Sequence, residues 1–292
     1  MSAKAAVLRG LFRAYPFQKG RYRLMMLFEK CLDRRGTALA DFEDYGRLSL
    51  DLASPGLERT FFYFMPERYE HETQEYIRKV VEPGMRVMDV GAHHGLFTVL
   101  LASRVGKEGR VYSFEPEEGN FSKLKRNIEL NGLTQVTAER LALSDFCGST
   151  QLVLTAADTG HFLGQVSGQA PVNGGQRQEV PVTTLDAFVE ERGIGRIDLI
   201  KIDAEASEHL ILKGAVRTLS DGKAPRIVCE THSSHRSGAV GQDRVRALFY
   251  AQGYRSYVLN SKLSGRDYLS ELLPGQAVTG LQNVLYVKEP LT

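Results

Sequence analysis

The chain has 292 residues, 42% hydrophobic and 25% charged, an ordinary globular composition with a formal net charge of only +2. That balance carries no electrostatic signal for nucleic acid, and no apolar run is long enough to span a bilayer. Three scattered cysteines, Cys31, Cys147 and Cys229, exclude a disulfide framework and a CxxC zinc site, so a reducing, cytoplasmic setting is expected.

Between Met1 and Gly36 stand nine Lys or Arg against Glu29 and Asp33, interleaved with Leu8, Leu11, Phe12, Tyr15 and Phe17. This basic arm reads first as a helical extension packed on the main domain. Weak contact with an anionic membrane surface is the second reading. "GRLSLDLAS" alternates as a half-buried strand does, and in "HETQEYIRKVV" Tyr76, Ile77, Val80 and Val81 share a helical face. The accessory segment is therefore set at 1–68 and the main domain at 69–292.

After "EPG" a βα rhythm begins. Strand Arg86–Val90 leads to a helix at Leu96–Arg104, and strand Arg110–Phe114 to a helix in "NFSKLKRNIELNGL" with Phe121, Leu124 and Ile128 on one face. "TQVTAERLAL" is a third strand, and residues 156–178 form a Gly- and Gln-rich inserted loop. "IDLIKID" is a fourth strand with the helix "ASEHLILKGAVRTL" behind it, and "RIVCE" a fifth, followed by helix "DRVRALFYAQGY". "YRSYVLN" and "NVLYVKE" are late strands joined without a crossover helix. The pattern predicts a parallel sheet wound on both faces, with an antiparallel strand added at the chain's end.

The turn "MDVGAHHGLFT" sits where such a sheet binds ligands. Gly91 and Gly95 suit close backbone approach at a helix start, and Glu115, 20 residues after Gly95, suits a ribose diol. The spacing is Gly-x-x-x-Gly, short of the full dinucleotide pattern, and Asp89 would repel a pyrophosphate. It would attract a cationic ligand instead. S-adenosylmethionine, with its sulfonium, ammonium and ribose, fits these constraints. His93 reads as a donor to cofactor or substrate, and His94 as a packing or solvated residue. Adjacent imidazoles without further ligands at zinc-like spacing argue against a metal.

"MDVGAHHGLFT", "VYSFEPEEGNFSKLKRNIELNGL", "TTLDAF", "IDLIKIDAEASE…LKGA" and "PRIVCE" together resemble the FkbM-type methyltransferases, from roughly Glu70 to Val287. The resemblance implies an α/β fold, a Rossmann-like doubly wound, mostly parallel seven-stranded sheet with a terminal antiparallel strand, here with an N-terminal helical and β extension. It also implies methyl transfer from S-adenosylmethionine, usually to a hydroxyl of a sugar, glycolipid or polyketide. His93 stands where the family has Asn, and Ala206 where it has Gly.

Cofactor contacts are expected from Asp89, Gly91, His93, Gly95, Glu115, Ala142 and Asp203. Because a hydroxyl is a poor nucleophile, a base is sought at the strand ends. The candidates are Lys201, Asp203, Glu230 and His232, with an ion pair to an acid as the alternative role for Lys201. Glu205 is expected as a first-turn helix acid, and Glu208 and His209 at the surface. Tyr69, Glu70 and His161 are placed against the acceptor. An RNA 2′-O-methyltransferase, a cofactor-binding module without turnover, and a nicotinamide oxidoreductase are the rival readings. Oligomeric state is not legible.

Overall fold

The computed structural model describes residues 3–15, 20–32, 35–43, 45–54, 58–155, 161–164, 176–220, 224–232, 242–259, 269–276 and 281–289. In chain order its elements begin with α1 (Ala3–Ala14), α2 (Arg21–Glu29), the hairpin β1 (Thr37–Phe42) and β2 (Gly46–Asp51), α3 (Glu58–Phe64) and α4 (His71–Val80). Then come β3 (Arg86–Val90), α5 (Leu96–Val105), β4 (Arg110–Phe114), α6 (Glu118–Leu130) and β5 (Val136–Glu139). A small sheet follows, from β6 (Ala142–Leu143), β7 (Gly148–Val153), β8 (Phe162–Leu163) and β9 (Arg177–Thr183). The second half holds α7 (Leu185–Glu191), β10 (Leu199–Ile202), α8 (Glu208–Lys213), α9 (Val216–Ser220) and β11 (Arg226–His232). It closes with α10 (Gln242–Ala251), β12 (Arg255–Leu259), β13 (Leu269–Leu272) and β14 (Leu281–Val287).

The main sheet has eight strands in the order β13-β12-β14-β11-β10-β3-β4-β5. From β11 through β10, β3 and β4 to β5 every pairing is parallel. β14 inserts antiparallel between β11 and β12, and β13 pairs antiparallel with β12 at the edge. The doubly wound core and its late antiparallel strand follow the sequence pattern, while β13 adds an eighth strand in the stretch that joins the two late strands. The predicted third strand is split: β5 joins the main sheet, and β6 turns away at Arg140 to pair with β9. Of the insertion at 156–178, most lies outside the described residues.

Strand alternation builds two cores. Val87, Val111, Leu199, Val228 and Leu285 face one hydrophobic cluster with α4 and α5, while Met88, Ile200, Ile227, Val284 and Tyr286 face the other with α7 to α10. The amino-terminal arm joins the first cluster through buried Ala5, Phe12 and Met25. Its basic residues are partly used internally, because Arg9 and Arg13 both reach Asp41. Val7, Leu11, Tyr22 and Leu27 remain exposed. Among the described residues no helix is long and apolar enough to cross a membrane.

The accessory segment is fixed to the glycine turn by polar residues that periodicity did not reveal. Asn127, wholly buried on α6, accepts from Ser49 N–H of β2 at 2.6 Å and donates to the His94 carbonyl at 2.8 Å. Gln74, also buried, donates to the carbonyls of Pro66 and Tyr69 at 2.8 and 2.6 Å, which fixes the turn leading into Glu70.

Candidate active site

A cavity of about 260 Å³ opens at the carboxyl ends of β3, β4, β10 and β11, with Phe62, Tyr69 and Glu70 on one side. Its glycine turn has no space for side chains at the critical point. Gly91 has φ 79°, and a Cβ there would lie 1.7 Å from the Asp203 carbonyl oxygen. The N–H groups of Gly91 and Ala92 both donate to the Phe114 carbonyl, so the turn is held against β4, and Gly95 (φ 88°) is the N-cap of α5. His93 takes φ 51°, a left-handed conformation that His and Asn tolerate better than most residues. This explains why an imidazole can stand at a position where the family has Asn.

Glu115 lies at the cavity floor. It accepts N–H bonds from His93 at 2.8 Å and Glu117 at 2.9 Å, yet burial pushes its carboxyl up to about 8. Ala142 lines the same region between Leu141 and Leu143. Asp89 stands behind the turn, fully buried and outside the cavity wall. Thr98 donates to one of its oxygens at 2.6 Å, while the other has no partner, and burial raises its pKa. His94 also lines the cavity; it stacks on His93 with centroids 3.7 Å apart and accepts from Lys123 at 3.2 Å. Burial, then His93 and Lys123, lower its pKa, which keeps it neutral.

Lys201, 2% exposed, is 3.1 Å from Asp203 and lies over the Phe97 ring at 4.4 Å. Burial works to discharge it, but Asp203, Glu70, Asp89 and Glu230 outweigh that and keep it cationic. The carboxylates of Glu70, Asp203 and Glu230, from three separate segments, each offer an oxygen within 4.8 Å of the others. Convergence by itself does not make a metal site, and Lys201 and Asn283 already answer two of the three. Tyr69 lines the wall edge-on to Phe62 at 4.8 Å, and His161 lines it from the insertion, its Nδ1 accepting from Thr155 N–H at 3.1 Å. His232 ends β11, but its side chain lies outside the described residues.

Four expectations are corrected. Asp89, expected to face the ligand, is held behind the turn by Thr98 and does not line the cavity. Glu208 and His209 are buried, at 6% and 7% exposure, because α8 packs between the sheet and α10. Glu208 also turns back to accept from Ala204 N–H at 3.2 Å. Glu205 is not a first-turn helix acid: it precedes α8 with φ 45° and lines the cavity. Sequence reasoning missed Asn283, which donates to Glu70 at 2.9 Å, and Phe97 beneath Lys201. A polar Asn inside the apolar strand "LQNVLYV" was the available signal for the first.

A parallel doubly wound sheet with an inserted antiparallel strand, a glycine turn after its central strand and an acid ending the next one define the class I methyltransferase type. The model of the FkbM methyltransferase domain matches residues 89–256, and the chain belongs to that family. That family is one of S-adenosylmethionine-dependent methyltransferases. The 31-O-demethyl-FK506 methyltransferase FkbM of Streptomyces tacrolimicus is 30% identical over 210 residues, covering 61% of this chain and 76% of that protein. The AMB antimetabolite synthetase AmbE of Pseudomonas aeruginosa is 26% identical over 270 residues, or 79% of this chain. The chain spans only 13% of that synthetase. The solved methyltransferase FkbM from Methylobacillus flagellatus superposes with a TM-score of 0.44 at 16% identity, covering 90% of this chain and 58% of that one.

Proposed function

We propose that the chain methylates a hydroxyl of a small sugar-, glycolipid- or polyketide-like acceptor. The observation that carries this reading is the convergence of Glu70, Asp203 and Glu230 beside the glycine turn. A hydroxyl is activated by such a carboxylate, whereas an amine acceptor needs no strong base. The Streptomyces relative, named for an O-demethyl compound, supports the same direction.

In this reading S-adenosylmethionine supplies a methyl group on a positively charged sulfur. Glu115 holds the ribose hydroxyls, Gly91, His93 and Gly95 give the backbone surface for the methionine end, and Ala142 packs against the base. Asp89 acts from behind the turn, keeping Lys201 and Thr98 in place. Asp203, fixed by Lys201, orients the reacting groups, and Tyr69, Glu70 and His161 bound the acceptor. Alignment of nucleophile, carbon and sulfur is the main task, and these residues lie on strand ends and a packed turn suited to it.

The test is incubation with methyl-13C-labelled S-adenosylmethionine and methyl glycosides, glycolipids and hydroxylated macrolides, followed by carbon NMR. Label in a methoxy group is expected. Label on nitrogen or carbon, or transfer only to RNA, contradicts the reading.

A further inference from the structure

Resting on the O-methyl reading for the source of the proton, we propose that Glu70 is the catalytic base of the cavity and lies against the cofactor's positive charge. Glu70 occupies the N-cap of α4, the position from which the Glu117 side chain accepts the first N–H groups of α6. The Glu70 side chain makes no such bond. The backbone is instead left-handed, with φ 42° and ψ 52°, a strained choice for glutamate that the two Gln74 bonds hold in place. The conformation gives up a helix cap and places the carboxylate in the cavity wall, where it meets Asp203 and Glu230.

The surroundings separate the roles of these acids. Asp203 is paired with the Lys201 ammonium at 3.1 Å, so its carboxylate is already engaged by an internal cation. Among the described residues, the side-chain hydrogen bond that Glu70 accepts comes from the neutral amide of Asn283 at 2.9 Å. The charged groups facing it are Lys201 from β10 and Asp203 just after it, Asp89 from β3 and Glu230 from β11. Burial pushes its carboxyl up most strongly, Lys201 opposes that, and the balance lies at about 7. A base near the working pH is the efficient kind.

The acceptor oxygen bonds to the methyl carbon while the carbon–sulfur bond breaks, its electron pair going to sulfur. The hydroxyl proton passes to Glu70 and leaves with solvent after the product. Before that step Glu70 must be ionised. A nearby positive charge favours its ionised form, so binding of the sulfonium expels a proton that binding of S-adenosylhomocysteine, whose sulfur is uncharged, does not.

This difference is measurable without any acceptor. The affinities of S-adenosylmethionine and S-adenosylhomocysteine are determined by calorimetry between about pH 6 and pH 8 on wild type, Glu70→Gln, Glu70→Asp and Asn283→Leu. In wild type the sulfonium ligand is expected to gain up to roughly tenfold over its product across that range, from one group titrating near 7. Glu70→Gln removes the gain, Glu70→Asp keeps it, and Asn283→Leu moves its midpoint upward. Parallel pH dependences for the two ligands in wild type overturn the proposal, as does a gain that survives in Glu70→Gln. Should Glu70→Gln fail to fold, the wild-type difference and the Asn283→Leu midpoint decide. If S-adenosylhomocysteine does not bind at all, the cofactor reading itself has failed. Label found off oxygen in the NMR experiment sinks the O-methyl reading and leaves these binding data standing.

Discussion

Lys201 Nζ lies 3.1 Å from the Asp203 carboxylate and 4.4 Å from the centre of the Phe97 ring, at the end of a strand buried on both faces. The ammonium is the counter-ion for the cavity's acids, which also include Glu70, Asp89 and Glu230. Lys201→Met keeps the packing volume and removes the charge. Breaking a buried pair in this way costs about 3–5 kcal/mol. Urea unfolding at neutral pH is expected to show that loss, and methyl transfer is expected to fall with it. A variant as stable as wild type would show that the acids need no internal cation.

The raised carboxyls give the fold a pH dependence of defined sign. Glu70 is held at about 7 and Glu115 at about 8, against 4.5 when solvated. Between those values the folded chain binds more protons than the unfolded one, so these groups make stability fall as pH rises through 7 and 8. Urea midpoints without ligand should decline from about pH 5.5 to about pH 8.5, and Glu115→Gln should flatten the decline. A midpoint that rises over this range contradicts the burial of both acids.

Ala206 has φ 72° and follows Glu205 at φ 45°, so two side-chain-bearing residues are left-handed in succession. Such a conformation costs an L-residue about 1–2 kcal/mol, and glycine adopts it freely. Ala206→Gly is expected to raise unfolding stability by about 1 kcal/mol, the added unfolded-state entropy offsetting part of the relief. An unchanged or lower midpoint would show that the turn carries no strain.

Gly91→Ala should abolish binding of S-adenosylhomocysteine, because the new Cβ would meet the Asp203 carbonyl at 1.7 Å and push β3 from β10. Circular dichroism would register any loss of fold, and calorimetry the loss of binding. Retained wild-type affinity would mean that the turn is not packed as described.

Much of this arrangement was legible because it rests on local signals. "MDVGAHHGLFT" shows strand, glycine turn and helix in one stretch, and Lys201 in an apolar strand announced a buried partner. What stayed hidden depends on distant parts of the chain. Asn283 reaches Glu70 across 213 residues, and no periodicity records such a bond. Glu208 and His209 looked superficial because each is polar on a short helix, yet α10 covers them. The Asp89 carboxylate was read as facing the ligand, and strand register alone could not tell that Thr98 would hold it behind the turn.

The most direct test of the account is calorimetric titration of S-adenosylhomocysteine and NAD into wild type and Glu115→Ala. Binding of S-adenosylhomocysteine to wild type, weakened roughly tenfold or more in the variant through loss of the hydrogen bonds to the ribose, with none for NAD, is the predicted result. Equal affinity in both proteins, or preference for NAD, would contradict the assignment of this cavity to the methyl donor.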